Sequence, residues 1–234
     1  MNMNDLQQLE SPRTDAAWLD AHWMPYTGNR DFKANPRMMV SAKGAYYTDS
    51  NGRKVMDGLS GLWCCGLGHG RQELTDAVSR QMATLDYSPA FQFGHPLSFE
   101  LANRITGFMP AGLNRVFFTG SGSEAADTSL KMARAYWRTK GQASKTRFIG
   151  REKGYHGVNF GGISVGGIPA NRKMFGTSLL PRVDHLRFIH DPANAWIHNA
   201  EPESKEDYLL ELEQRILPLH DPSNVAAIIV EPVA

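Results

Sequence analysis

"FFTGSGSEAAD", residues 117–127, decides how the rest of this chain is read. Two phenylalanines end an apolar run begun at Val116, glycine and serine follow, and alanine and acid then open a helical pattern. A strand that stops at a glycine–serine turn and passes into a helix places unpaired N–H groups and a partial positive charge at that turn. Gly120 and Gly122 let a ligand approach the backbone, and Ser121 and Ser123 add hydroxyls. Those are the parts of a phosphate cradle. The letters "SGSE" also spell a capping box, with Ser121 as N-cap and Glu124 three residues on. The turn alone therefore leaves both readings open. It further matches G-x-G-x-x-A, but a dinucleotide fold wants an acid at the end of the next strand. There the sequence reads "FIGREKG", with Gly150 and Arg151 first and Glu152 only afterwards. A single-phosphate cofactor ranks above a nicotinamide one.

Around the turn the pattern is strand–helix alternation. Val116–Phe118 is expected as a strand, and Ala126, Leu130, Ala133 and Trp137 mark one face of the helix after it. Residues 146–149 and 186–189 read as further strands, and 206–219 as a helix striped at 209, 212, 216 and 219. "VAAIIV", 225–230, is apolar throughout, as a strand covered on both faces should be. Upstream lie a short helix near 15–22 and strands at 38–40, 45–48 and 54–56. "TDSNGRK" marks a hairpin turn, and helices are expected over 73–85 and 97–109. The glycine-rich stretch 154–167 reads as a loop crowded against something. The fold class is α/β, with a mostly parallel sheet flanked by helices and a small α+β region at the N-terminal end.

Composition narrows the function. The 234 residues are 41% hydrophobic with a formal net charge of +1, so a sizeable core is available and no strong field favours nucleic acid or an anionic membrane. No apolar run approaches the roughly 20 residues of a membrane helix. The start has no apolar signal region, and the only cysteines, Cys64 and Cys65, are adjacent. A cytoplasmic setting is expected. The eight histidines are scattered without metal-ligand spacing, so no metal is expected.

Six blocks in order then carry a resemblance: "HWMPYTGNR", "GLSGLWCCGLGHG", "LDYSPAFQFGHPLSFELA", "FFTGSGSEAADTSLKMARAYWR", "KGYHGVN" and "IIVEPVA". Together they resemble the class III aminotransferases, pyridoxal-phosphate enzymes of fold type I, and within them the omega-amino acid–pyruvate (beta-alanine–pyruvate) group. The resemblance implies a cofactor, pyridoxal 5'-phosphate, held by the amides of Gly122 and Ser123, with Ser121 beside them. It implies that Tyr155 stacks on the pyridine ring and that Glu231, ending the last apolar strand, lies near it. Trp63 would line the substrate pocket, and Phe91 would reach the active site of a neighbouring subunit in a homodimer or homotetramer. His156 would orient its loop. Residues 171–173, "NRK", read as a solvated charge cluster, and no role is read for His69 or Lys131.

The implied reaction moves an amino group from an omega-amino acid such as beta-alanine, or from an amine, to pyruvate, giving alanine. The partners are thus a small amino donor and a keto-acid acceptor. Aminomutase, decarboxylase or racemase chemistry on the same fold stays open, as does a catalytically dead chain. The family motif of the Schiff-base lysine does not occur in these residues, so that lysine is expected beyond Ala234 and no catalytic residue is assigned here. On this reading residues 1–60 begin the small domain and 61–234 begin the large cofactor-binding domain. The sheet is then incomplete, and 1–234 alone is expected to be inactive and not a self-sufficient folding unit.

Overall fold

The structure, a computed structural model, describes residues 15–188 and 210–232. The chain divides into two compact units, Met1–Leu101 and Ala102–Ala234. In the first unit Asp15 caps helix α1 (Ala16–Asp20), its side chain accepting from the Trp18 amide. Helix α2 (Asn29–Ala34) follows. Leu19 and Phe32 are the buried residues of the pair. Strands β1 (Met39–Lys43), β2 (Tyr46–Asp49) and β3 (Lys54–Met56) form an antiparallel sheet in chain order. The expected turn joins β2 to β3. The Asp49 carboxylate accepts from the amides of Asn51 and Arg53, both at 2.9 Å, and Gly52 takes the left-handed position at φ +78°. Helix α3 (Gln72–Thr84) lies one residue earlier than its stripe suggests, and helix α4 (Pro96–Thr106) opens on Pro96.

The second unit is built on helix α5 (Gly122–Thr139), which packs on a parallel sheet of β4 (Arg147–Arg151), β5 (Val183–Leu186) and β6 (Val225–Ile228) in the order β5-β4-β6. Strand β4 pairs in parallel with both neighbours. Its residues alternate between two cores, because successive side chains of a strand point to opposite faces. Phe148 joins Leu130 of α5, Val165 and Ala226, with Ala133 and Trp137 against them. Ile149 joins Leu186 and Ile216 on the other face. Helices thus cover both faces, as a parallel sheet requires. The Trp137 indole donates to the Ala226 carbonyl at 2.7 Å, tying α5 to β6. Trp137→Phe leaves that buried carbonyl short of a partner and should cost about 1–2 kcal/mol of stability in a thermal melt.

Four expectations need correction. Val116–Phe118 forms no strand: it pairs with nothing among the described residues, and Phe117 is 67% exposed. A strand exists only with a neighbour to take its N–H and C=O groups, and the described strands leave this one without. The third strand lies at Val183–Leu186, three residues before its expected place. There Arg147 pairs with Asp184 across the β4–β5 ladder, a polar contact that hydropathy does not reveal. The glycine-rich stretch 154–167 is not wholly loop: helix α6 (Phe160–Val165) forms within it, and α7 (Pro169–Lys173) follows it. The helix expected over 206–219 falls partly outside the described residues. From 210 it contains a π-helical turn, Leu212–Ile216, which leaves Leu219 exposed although it belonged to the apolar stripe. Among the described residues no helix is long and apolar enough to cross a membrane.

Candidate active site

The first turn of α5 has the geometry that its letters allow. Ser121 is extended (φ −157°), and its Oγ accepts from the Glu124 amide at 3.1 Å. Glu124 reaches back, but to the Gly120 amide, at 2.7 Å, one residue before the cap. The capping box is therefore real. It leaves the amides of Gly122 and Ser123 with no acceptor among the described residues. A Cβ added at Gly122 would meet nothing within 4 Å beyond its own helix and chain neighbours, so this position of the turn is uncrowded. A capped helix and an anion cradle are compatible at this turn, because the cap uses different donors from the cradle.

A second segment is fastened directly onto this turn. The Val158 amide donates to Ser123 Oγ at 3.0 Å, and the Tyr155 amide donates to Glu231 Oε2 at 3.0 Å. Gly157, at φ +93°, makes the approach possible: a Cβ there would stand 2.6 Å from Ser123 Cα. Tyr155 itself is 44% exposed. The structure thus brings Ser121, Gly122, Ser123, Tyr155 and Glu231 together in the second unit. Trp63 and Phe91 belong to the first unit, where they are 80% and 87% exposed.

Asp127, which sequence reasoning passed over, and Arg172, which it read as a solvated charge, hold the segment in place. Asp127 lies one helical turn after Ser123, on the same face of α5, and accepts from the Gly162 amide at 2.9 Å. Its signal was the i, i+4 spacing from Ser123 combined with the glycine pair 161–162. Arg172 is not a solvated charge. Its Nη1 donates to the carbonyls of Ile163 and Gly166, each at 2.9 Å, and to that of Ser164. These are carbonyls at the C-terminal end of α6, where a cation is favourable and acceptors lack partners. His185 Nε2 shares the Gly166 carbonyl at 2.9 Å.

His156 and His185 are both half-buried. Burial lowers the pKa of His156, with His185 adding to the effect and Glu231 opposing it. Burial likewise lowers that of His185, against its bond to Gly166. His156 Nε2 and Arg151 Nε are buried without a hydrogen-bond partner among the described residues. In the unfolded chain a histidine titrates near about 6.5. Between that value and the lower folded value the unfolded state binds more protons, so stability falls as pH drops through this window and is unaffected above it. His156→Gln should therefore lose less melting temperature than the parent between neutral and mildly acid pH.

Residues 27–234 match the family model described as aminotransferase class-III. This chain belongs to the class-III aminotransferases. The beta-alanine–pyruvate aminotransferase of Pseudomonas aeruginosa is 54% identical over 232 residues, covering 99% of this chain and 51% of that protein. The chain spans about half the length of the curated relatives it matches. An amine transaminase from an uncultivated Pseudomonas species, solved with pyridoxal phosphate bound, superposes with a TM-score of 0.79 at 32% identity, over 91% of this chain and 48% of that one. A thermostable omega transaminase engineered for synthesis of enantiopure bulky amines superposes with a TM-score of 0.84 at 32% identity, over 93% of this chain and 49% of that one. The fold is thus that of the fold type I pyridoxal-phosphate transferases, as the resemblance implied.

Proposed function

We propose that this class-III aminotransferase chain holds pyridoxal 5'-phosphate on the first turn of α5 and takes part in moving an amino group from an omega-amino acid such as beta-alanine, or an amine, to pyruvate. One observation carries the reading. Two amides at a helix N-terminus have no acceptor among the described residues, the Val158 amide is bonded to Ser123 of the same turn, and the Tyr155 amide three residues earlier is held by Glu231. The residues fit the cofactor. A phosphate monoester needs N–H donors at a helix start, which Gly122 and Ser123 supply. The hydroxyls of Ser121 and Ser123 each accept one backbone bond and keep their own proton to donate. Tyr155 offers an aromatic face to a planar ring, and Glu231 sets its position through the Tyr155 amide. Trp63 and Phe91 shape recognition of the donor.

Pyridoxal phosphate supplies the electron sink and carries the amino group between the two substrates. The protein's part is to hold the phosphate, fix the ring's tilt and exclude wrong donors. The linking lysine is assigned to no residue of this chain. The division near residue 60, the homodimer or homotetramer, the cytoplasmic setting and the inactivity of 1–234 alone belong to the same proposal. The whole protein, given beta-alanine and pyruvate, should form alanine in step with loss of pyruvate. Donor consumption independent of pyruvate would instead point to aminomutase, decarboxylase or racemase chemistry.

A further inference from the structure

Residues 60–63 trace a left-handed turn. The φ values are +49° at Ser60, +61° at Gly61, +61° at Leu62 and +67° at Trp63. Left-handed backbone is costly for every residue but glycine, and three of these four are not glycine. Such strain persists only where the surroundings over-determine it, and it gathers at sites where geometry matters more than stability. The turn closes on itself through the Trp63 amide to the Leu59 carbonyl at 2.8 Å and the Cys65 amide to the Ser60 carbonyl at 2.7 Å.

What over-determines it is the carboxylate of Asp57. Oδ2 accepts from the Gly61 amide at 2.8 Å, and Oδ1 from the Leu59 amide at 3.3 Å. Behind the carboxylate stands His69, with Nε2 at 2.7 Å from Oδ2. Tyr47 helps to lower the pKa of Asp57, and its ring lies 4.6 Å from that of His69. The His69 hydrogen bond, aided by the amides and by Tyr47, holds Asp57 below the usual carboxylate range against its burial. The chain of contacts is anchored in the sheet. The His69 amide and carbonyl both pair with Gly44, at 2.9 and 3.0 Å, in the turn between β1 and β2. The side chains of Asp57 and His69 are only 7% and 13% exposed, whereas Trp63, which the turn presents, is 80% exposed. A buried polar clamp that enforces strained backbone under an exposed tryptophan serves the tryptophan's placement better than it serves the core.

We propose that Asp57, backed by His69 and Tyr47, is a positioning residue that fixes Trp63 and thereby sets which size of amino donor the enzyme accepts. This rests on the reading of Trp63 as part of donor recognition, so both are tested together in the whole protein. The donors are beta-alanine and 1-phenylethylamine, each with pyruvate, and the readout is the ratio of their kcat/KM values. Trp63→Gly should shift that ratio toward the bulky donor by about tenfold, the scale at which pocket volume discriminates substrates. His69→Leu should shift it the same way by about threefold or more, through KM rather than kcat, as a change confined to donor binding does. His69→Gln, which returns an N–H donor to Asp57, should restore it. Amide exchange at Gly61 and Trp63 should quicken in His69→Leu and slow again in His69→Gln. An unchanged ratio in Trp63→Gly sinks the donor-recognition reading. A shift in Trp63→Gly with none in a folded His69→Leu sinks the positioning role alone. Where His69→Leu does not fold, Tyr47→Phe removes the hydroxyl that helps to hold the Asp57 carboxylate and keeps the ring. It should then give a smaller shift in the same direction, and no shift overturns the proposal.

Discussion

Gly122→Pro, made in the whole protein, should lose pyridoxal phosphate while keeping helix α5. Position 122 is the first residue of that helix, where proline is well tolerated because its missing N–H has no intrahelical role. The preceding Ser121 is already extended, the conformation that a following proline demands. Beyond its chain neighbours and its own helix backbone, nothing described lies within 4 Å of a Cβ built at this position, so a side chain has room. The substitution thus removes one donor to the phosphate and little else. A hydrogen bond to a charged group is worth about 1.5–3 kcal/mol, so cofactor affinity should fall about 10- to 100-fold. The melting temperature without cofactor should hold or rise slightly, since proline also restricts the unfolded chain. Gly122→Ala keeps the N–H and should bind cofactor as the parent does. Cofactor titration followed by absorbance checks both.

Gly162→Ala should damage fold and site together. A Cβ at 162 would stand 2.2 Å from the His156 carbonyl oxygen and 3.3 Å from the Gly157 carbonyl carbon. Both neighbours are backbone, so neither can swing aside as a side chain tip would. The segment from Tyr155 to α6 must open, and the bonds Val158–Ser123, Tyr155–Glu231 and Gly162–Asp127 all depend on its closed path. Overpacking of this kind costs about 1–3 kcal/mol, and each bond lost adds to it. The variant should melt earlier and release cofactor faster, and the contrast with Gly122→Ala separates a crowded glycine from an open one. Thermal melts and cofactor retention through gel filtration measure the two effects.

The turn at 120–123 was legible because its meaning is local: small residues, a cap and a helix stripe stand side by side in the chain. The stripe Ala126, Leu130, Ala133 and Trp137 was legible for the same reason, and Leu130, Ala133 and Trp137 pack into the core in the structure. What stayed hidden acts on backbone. Asp127 and Arg172 look like ordinary surface charges by composition, and their partners are an amide 35 residues away and three carbonyls of a helix the pattern did not reveal. The left-handed turn at 60–63 was illegible because leucine and tryptophan carry no signal for that backbone. Only the surrounding carboxylate explains it. Val116–Phe118 shows the converse error: hydropathy marks a strand's appetite for burial, but a ladder needs a neighbouring strand.

The central claim is that the free amides at the start of α5 hold a phosphate monoester, and its most direct test is a crystallographic map of the whole protein grown with pyridoxal phosphate. The account predicts phosphate oxygens at about 3 Å from the amides of Gly122 and Ser123, with the Tyr155 ring over the pyridine. Density for the phosphate away from this turn, or a dinucleotide pyrophosphate lodged in it, would contradict the account.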